Sequence, residues 1–324
     1  MIWRTGVTRR GPLCDKETQG GKRRFAFTLL EDLERSFQGE RDEALLARIY
    51  NQLVVGEKIY KTTRRGRFKD LDARLADEVA QRMPHVRPVR IHDVGASSGV
   101  TSLELQLLFD GRHPVEVHAT DFYDRLVAVK PRASVWTVVF DVDGEALQFV
   151  SGSFVLSAQE GESRKLPINR ALAARAKQRV LLRAQALRDA VQHQNGEGVV
   201  QLDDGEVRVI RLVHPDVADL LNSHSGFTFG RHDVFEPTPT TYDVVRAVNV
   251  LNPGYFDDDR VRSASLAVAK SLRSEGLFLV GRTIDEEQRQ NRATLFLKTE
   301  DRFLPLWDHQ GGAENREVVL SLQW

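Results

Sequence analysis

The chain has 324 residues, with 46 Lys+Arg against 46 Asp+Glu and a formal net charge of zero, which excludes a global pull toward nucleic acid or acidic membranes and leaves only local patches to supply one. The single cysteine, Cys14, excludes an intramolecular disulfide and fits a reducing compartment. Nowhere do about eighteen apolar residues run together, and no leader-like apolar run opens the chain, so a cytoplasmic protein without a transmembrane segment is expected.

Residues 1–24 mix glycine, threonine and basic residues without periodicity and read as a mobile basic arm. Apolar residues then recur at helical spacing over 25–37, 42–55 and 71–83, which predicts an N-terminal helical region over 25–88 that acts as a lid or substrate wall. Pro84 and Pro88 bracket its exit. Inside it lies the densest basic run, Lys58, Lys61, Arg64, Arg65, Arg67 and Lys69, which reads as a charged loop or as a guide for an acidic substrate.

The most informative stretch follows. Arg90-Ile91-His92-Asp93-Val94 is a short β-prone run ending on an acid, Gly95-Ala96-Ser97-Ser98-Gly99 is a loop, and 102–109 is helix-like. Such a strand–loop–helix corner seats nucleotide-like cofactors, because glycine turns the backbone and leaves no Cβ in the ligand's way. His92, between a β-branched residue and an acid on a buried strand, reads as structural. About twenty residues on, a strand over 115–120 ends at Asp121-Phe122, where a carboxylate can accept from both hydroxyls of a ribose.

An additional segment, 122–226, interrupts this pattern. Strands over 135–140 and 146–150 flank the turn Asp143-Gly144, 154–156 extends the meander, and 198–202 and 206–213 flank Asp203-Asp204-Gly205. Between the hairpins, 169–193 reads as a helix with one stripe of Leu172, Ala176, Val180, Ala184, Leu187 and Val191, beside which Arg175, Arg179 and Arg183 repeat every four residues. Its basic side reads as a solvated face or as a contact for an anionic membrane or acidic partner.

After the insert, 227–235 reads as a third strand and the loop holding Asp233 and Val234, and 242–251 as a fourth strand ending at Asn249-Val250. A helix over 256–273 with Asp257, Asp258 and Asp259 in its first turn leads to a buried strand over 276–281. Segments 293–298 and 317–322 are expected to close the sheet as an antiparallel hairpin. The pattern predicts an α/β fold, a doubly wound, Rossmann-like, mostly parallel seven-stranded sheet over 89–121 and 227–324, with a helical N-terminal region and an inserted β/helix subdomain.

Two families resemble the loop. Letter by letter, Gly95 to Val100 is similar to the cofactor loop of short-chain dehydrogenases, but Thr101 stands where their third glycine would be. The residues four after each tyrosine are Val54, Arg64, Val127, Arg246 and Asp259, so their Tyr-x-x-x-Lys pair is missing. Asp93, Gly95 and Gly99 fill instead the acidic-x-Gly-x-x-x-Gly pattern of class I S-adenosylmethionine-dependent methyltransferases, which the later blocks also resemble. Thr120-Asp121 and the step from Asp243 to Asn249 are similar to the chemotaxis-receptor glutamate methyltransferase branch.

The resemblance implies S-adenosylmethionine as cofactor, held by Asp93, Gly95, Ala96, Ser97, Gly99, Asp121, Phe122, Asp233, Val234, Asn249 and Val250, with Asp93 near its cationic ammonium end. It implies a small-molecule or protein acceptor, and identifies no catalytic base and no metal site. A dehydrogenase, a glutamate O-methyltransferase and a non-catalytic scaffold stay open as alternatives.

Overall fold

The computed structural model describes residues 64–83, 86–151, 180–189, 198–285 and 290–324, together with 43, 46, 50, 54–55, 59–61 and 154–157. The arm over 1–24, the helices expected over 25–37 and most of 42–55, and the first part of the basic helix lie outside the described residues. The chain divides into two compact units, one of 64–122 with 216–324 and one of 1–63 with 123–215.

A short antiparallel pair, β1 (Val54–Val55) and β2 (Ile59–Tyr60), belongs to the second unit, and the first is built on a seven-stranded sheet in the order β11-β4-β3-β12-β13-β14-β15. Its strands are β3 (Val89–Val94), β4 (Val115–Thr120), β11 (Phe227–Gly230), β12 (Tyr242–Val248), β13 (Leu272–Asp285), β14 (Gln290–Lys298) and β15 (Phe303–His309). The pairs from β11 through β13 are parallel, and β14 and β15 add antiparallel. The predicted strand over 115–120 is present, the strand within 242–251 runs over Tyr242–Val248, and the one over 276–281 is extended at both ends.

The closing hairpin differs from expectation. The partner of β14 is Phe303–His309, and 317–320 of the segment read as a strand belongs to a short helix, Arg316–Leu320. The reason is periodicity: Val319 and Leu322, three apart, are the residues turned into the core, so one helical face buries what a strand would split between two. Phe303–His309 hides its strand character behind Pro305, which an edge strand tolerates because its outer N–H has no ladder partner.

One face of the sheet is closed by the Asp258–Ser271 and Arg316–Leu320 helices through Val245, Ala247, Ala264, Val268, Phe278 and Val319. Asp257 caps the longer helix, its side chain accepting from the Arg260 N–H at 2.9 Å, with Asp258 and Asp259 in the first turn where carboxylates meet the positive end of the dipole.

On the opposite face, Arg246 is 0 % exposed in the middle of β12. Its register partner on β3 is Asp93. Arg246 Nε donates to Asp93 Oδ1 at 2.8 Å and Nη2 to Asp93 Oδ2 at 2.6 Å. Nη1 donates to Asp72 Oδ1 at 2.6 Å, which fastens the Lys69–Arg82 helix over the sheet. Ser102 Oγ adds a bond to Asp93 Oδ2 at 2.5 Å from the Val100–Phe109 helix. Burial opposes the charge on Arg246, but attraction and hydrogen bonds from the two carboxylates outweigh it and hold its proton more tightly than usual. Burial raises Asp72 to about 6 despite Arg246, with Asp93 and Glu104 pushing the same way.

The second unit holds a six-stranded antiparallel sheet in the order β8-β7-β6-β5-β10-β9. Its strands are β5 (Arg125–Pro131), β6 (Thr137–Phe140), β7 (Ala146–Ser151), β8 (Phe154–Ser157), β9 (Gly198–Leu202) and β10 (Gly205–Arg211). Sequence reading passed over β5, although Leu126 and Ala128 alternate with Val127 and Val129 across the two faces. Both faces are apolar. Leu46 and Tyr50 cover one with Val139 and Leu147, and the helical turns at 180–189 cover the other, where Val180, Ala184 and Leu187 meet Val138, Phe140 and Phe149. The described part of the basic helix therefore spends its apolar stripe on this sheet. Its Arg188 reaches back to the β6–β7 hairpin, donating to the Val142 carbonyl at 3.4 Å. Among the described residues no helix is long and apolar enough to cross a membrane.

Replacing Arg246 by methionine leaves two buried carboxylates facing each other and is expected to cost about 3–5 kcal/mol in urea denaturation. Asp72→Asn leaves the bidentate Asp93 pair intact and is expected to cost far less. The raised Asp72 carboxyl binds its proton more readily when folded, so it erodes stability as pH rises from about 4 toward 6. Asp72→Asn is expected to remove that slope.

Candidate functional site

The carboxyl ends of β3, β4 and β12 meet at the glycine loop. Gly95 and Gly99 have φ of 71° and 83°, and Ser97 between them has φ of 58°. Three left-handed residues in five fold the chain back on itself so that the Ala96 N–H donates to the Thr120 carbonyl at 2.9 Å and the Gly99 N–H to the Ala96 carbonyl at 2.9 Å. Ala96 is buried by this arrangement and packs inward. A Cβ on Gly95 would lie 2.1 Å from Val250 Cγ2, and one on Gly99 would lie 2.9 Å from Val217 Cγ1. The first contact brings the two predicted residues Gly95 and Val250 together, although they are far apart in sequence.

Asp121 closes β4 beside this loop. Its Oδ2 accepts from the Ser97 N–H at 2.8 Å, and its own N–H donates to the Gly230 carbonyl at 3.1 Å, which ties in the end of β11. Phe122 follows, half-buried, with the guanidinium of Arg231 4.6 Å from its ring centre. Asp233 makes a local turn, its Oδ1 accepting from the Phe235 N–H at 3.0 Å, and Val234 beside it is in the core.

Two predicted residues have their side chains engaged within the fold. Asp93, expected near the cofactor's ammonium end, is 3 % exposed with both oxygens held by Arg246 and Ser102. An arginine in an apolar strand needs a carboxylate more than an exposed ligand does, and Asp93 is its register partner. Asn249, expected to hold the cofactor, is turned to β13. Its Oδ1 accepts from the Thr283 N–H at 2.7 Å and its Nδ2 donates to Thr283 Oγ1 at 3.2 Å. Its φ of 66° is one that asparagine tolerates better than most residues.

Arg246, Asp72 and Thr283 are the residues sequence reasoning missed. The signal for Arg246 was in plain view, since a cation inside Val244-Val245-Arg246-Ala247-Val248 demands a buried partner. No local pattern marks Asp72 or Thr283 as members of a polar cluster.

His92 is 1 % exposed, with Nε2 2.8 Å from Thr120 Oγ1. Its ring stacks on Tyr242 and His118 at centroid distances of 4.7 and 5.3 Å and meets His232 edge-on at 5.0 Å. Burial, then the neighbouring His232 and His118, push His92 down to about 2. Burial lowers His118 and His232 as well, against the pull of Asp233 and Glu236 on His232. The group is a neutral, packed cluster behind the strand ends.

No known family model matches the chain, and no curated protein matches it. Solved structures with a similar chain trace include the citrinin polyketide synthase CMeT domain, 12 % identical over 77 % of this chain and 41 % of that one, with a TM-score of 0.35. CalS10, an amino pentose methyltransferase from Micromonospora echinaspora solved with SAM bound, is 13 % identical over 77 % of this chain and 80 % of that one, with a TM-score of 0.31. A pericyclic reaction enzyme is 11 % identical, with a TM-score of 0.29, and the chain spans 31 % of its length. Likenesses this slight carry no argument, and the functional reading rests on the chain's own residues.

Gly95→Ala must both hold a left-handed alanine and displace the stiff Val250 side chain, so it is expected to cost about 2 kcal/mol or more by thermal or urea unfolding. Imidazoles kept neutral in the fold take up protons below about pH 6.5 once unfolded, so acidification from pH 7 to 5 favours the unfolded chain. His92→Phe is expected to flatten that loss when stability is followed across the same pH range.

Proposed function

We propose that this chain transfers a methyl group from S-adenosylmethionine to an oxygen or nitrogen nucleophile of a small molecule or protein. The observation that carries the reading is the charge beneath the glycine loop. Asp72 and Asp93 share the single guanidinium of Arg246, and two carboxylates against one cation leave one net negative charge, buried two residues before Gly95. Glu104 stands nearby, accepting from the Gly66 N–H at 2.8 Å. Such a floor favours a ligand that is cationic where it meets the loop and disfavours a pyrophosphate. Thr101 supports the same choice. It is 7 % exposed and 3.4 Å from Arg246, so a buried side chain fills the helix start where a dinucleotide needs glycine.

The residues fit this cofactor in two further respects. Gly95 and Gly99 supply the left-handed turns that bring the loop main chain round to the strand ends, with Val250 and Val217 packed over them. Asp121 presents a half-buried carboxylate at the neighbouring strand end, of the kind that accepts from sugar hydroxyls. When bound, S-adenosylmethionine supplies an activated methyl group, so what remains for the chain is to align the acceptor and exclude water.

The glutamyl acceptor of the chemotaxis branch draws less support. Asp243, one of the residues behind that resemblance, sits at the start of β12 and is clamped by Arg87, Arg273 and the Arg90 N–H, six residues from the end where Asn249 lies. Burial pushes its carboxyl up, but these donors outweigh it and hold it below the usual range. Its role is structural.

Calorimetry is expected to find binding of S-adenosylmethionine and of its demethylated product, with Asp121→Ala weakening both by at least about tenfold. Folded protein that binds neither, or that binds NAD(H) instead, would overturn the reading.

A further inference from the structure

The end of β12 is held by a polar cluster that the cofactor reading does not use. Thr283 of β13 is 8 % exposed, and its cross-strand partner Asn291 of β14 is 0 % exposed. The Thr283 hydroxyl accepts from Asn249 Nδ2 at 3.2 Å and from Arg67 Nε at 3.1 Å, and donates to Asn291 Oδ1 at 2.9 Å. That uses its one proton and both lone pairs, so the hydroxyl is saturated. Asn291 Nδ2 in turn donates to the Arg67 carbonyl at 2.9 Å and to Asp70 Oδ1 at 3.0 Å. Each amide's orientation follows from its partners: reversing Asn249 would set its Nδ2 against the Thr283 N–H, and reversing Asn291 would set its Oδ1 against the Arg67 carbonyl and the Asp70 carboxylate.

The cluster joins two things. On one side it fixes 67–70, at the start of the Lys69–Arg82 helix, onto the carboxyl end of β13 and the amino end of β14. On the other it fixes Asn249 in its left-handed conformation, and the next residue, Val250, fills the space over Gly95 where a Cβ would be. A shift at Asn249 therefore moves Val250 against the glycine loop.

We propose that Thr283 is a positioning residue: its hydroxyl locks the end of β12 and the 67–70 segment in one arrangement and, through Asn249 and Val250, sets the shape of the glycine loop. The consequence for binding rests on the S-adenosylmethionine reading. The mechanical coupling does not. A buried, saturated hydroxyl has no small alternative arrangement, so its loss is felt by every partner at once.

The test compares Thr283→Val, which keeps shape and loses the hydroxyl, with Thr283→Ser, which keeps the hydroxyl, by amide hydrogen exchange and by titration with S-adenosylhomocysteine. Thr283→Val is expected to speed exchange at 95–99 and 249–251 and to weaken ligand binding about fivefold or more, while Thr283→Ser stays within about twofold of the parent. Equal exchange and affinity in parent and valine variant would overturn the proposal. So would equal losses in both variants, since methyl packing rather than the hydroxyl would then matter. If Thr283→Val does not fold, Asn249→Gly keeps the left-handed backbone and removes only the amide, and the same loop exchange is expected. An unchanged loop in that variant would overturn the coupling. A parent protein that binds no S-adenosylhomocysteine would sink the cofactor reading separately, while the exchange measurements still decide whether Thr283 governs the loop.

Discussion

A guanidinium with no exposure to water sits at the centre of the parallel sheet, and much of that unit is arranged to make its burial affordable. Arg246 binds Asp93 on the adjacent strand and Asp72 on the helix above, with Ser102 completing the shell around Asp93. Desolvating three charges costs several kcal/mol per ion, and only good geometry recovers it. Here the geometry is good because β3 and β12 pair in the register that sets Asp93 opposite Arg246. The cluster fixes strand register, the seat of the Lys69–Arg82 helix and the start of the Val100–Phe109 helix with a single set of bonds. A slipped register would leave Arg246 without its partner, so the ion cluster disfavours alternatives that apolar packing alone would tolerate.

The same cluster links fold to chemistry. It lies under a loop whose backbone is twisted into the left-handed region three times within five residues, and it leaves that loop above a net negative charge. Around the loop, the neighbouring strand ends are each tied down by a polar contact. Asp121 holds the Ser97 N–H, Gly230 holds the Asp121 N–H, and Asn249 is held by Thr283. Backbone that curls this tightly leaves few ladder partners for its own N–H groups, and side-chain acceptors take their place. The result is a tightly folded loop pinned at the neighbouring strand ends.

The second unit is built on a different principle. Its antiparallel sheet is apolar on both faces and is covered on both, so its strands read as short mixed runs rather than a clean alternation of apolar and polar residues. That is why the hairpins at Asp143-Gly144 and Asp203-Asp204-Gly205 stood out in the sequence while β5 did not. The turns have their own local chemistry, and β5 gains its place only from the neighbours on either side, β6 and β10.

Whatever depends on neighbouring residues was legible along the chain. Glycines with positive φ, an acid closing each of two strands, the capped Asp258–Ser271 helix and the alternation of strands with helices are local consequences of side-chain shape and spacing, and they sufficed for the mostly parallel sheet and for the position of the loop. Tertiary structure decided what depends on partners distant in the chain. It gave Asp93 to Arg246 rather than to an open cleft, turned Asn249 toward Thr283, and paired β14 with Phe303–His309 in place of the segment at 317–322. In each case a buried polar or apolar group took the partner that satisfied it most completely. Which partner that is depends on the packing of segments far apart in the chain, 174 residues for Asp72 and Arg246 and 224 for Arg67 and Asn291, and no local pattern encodes it.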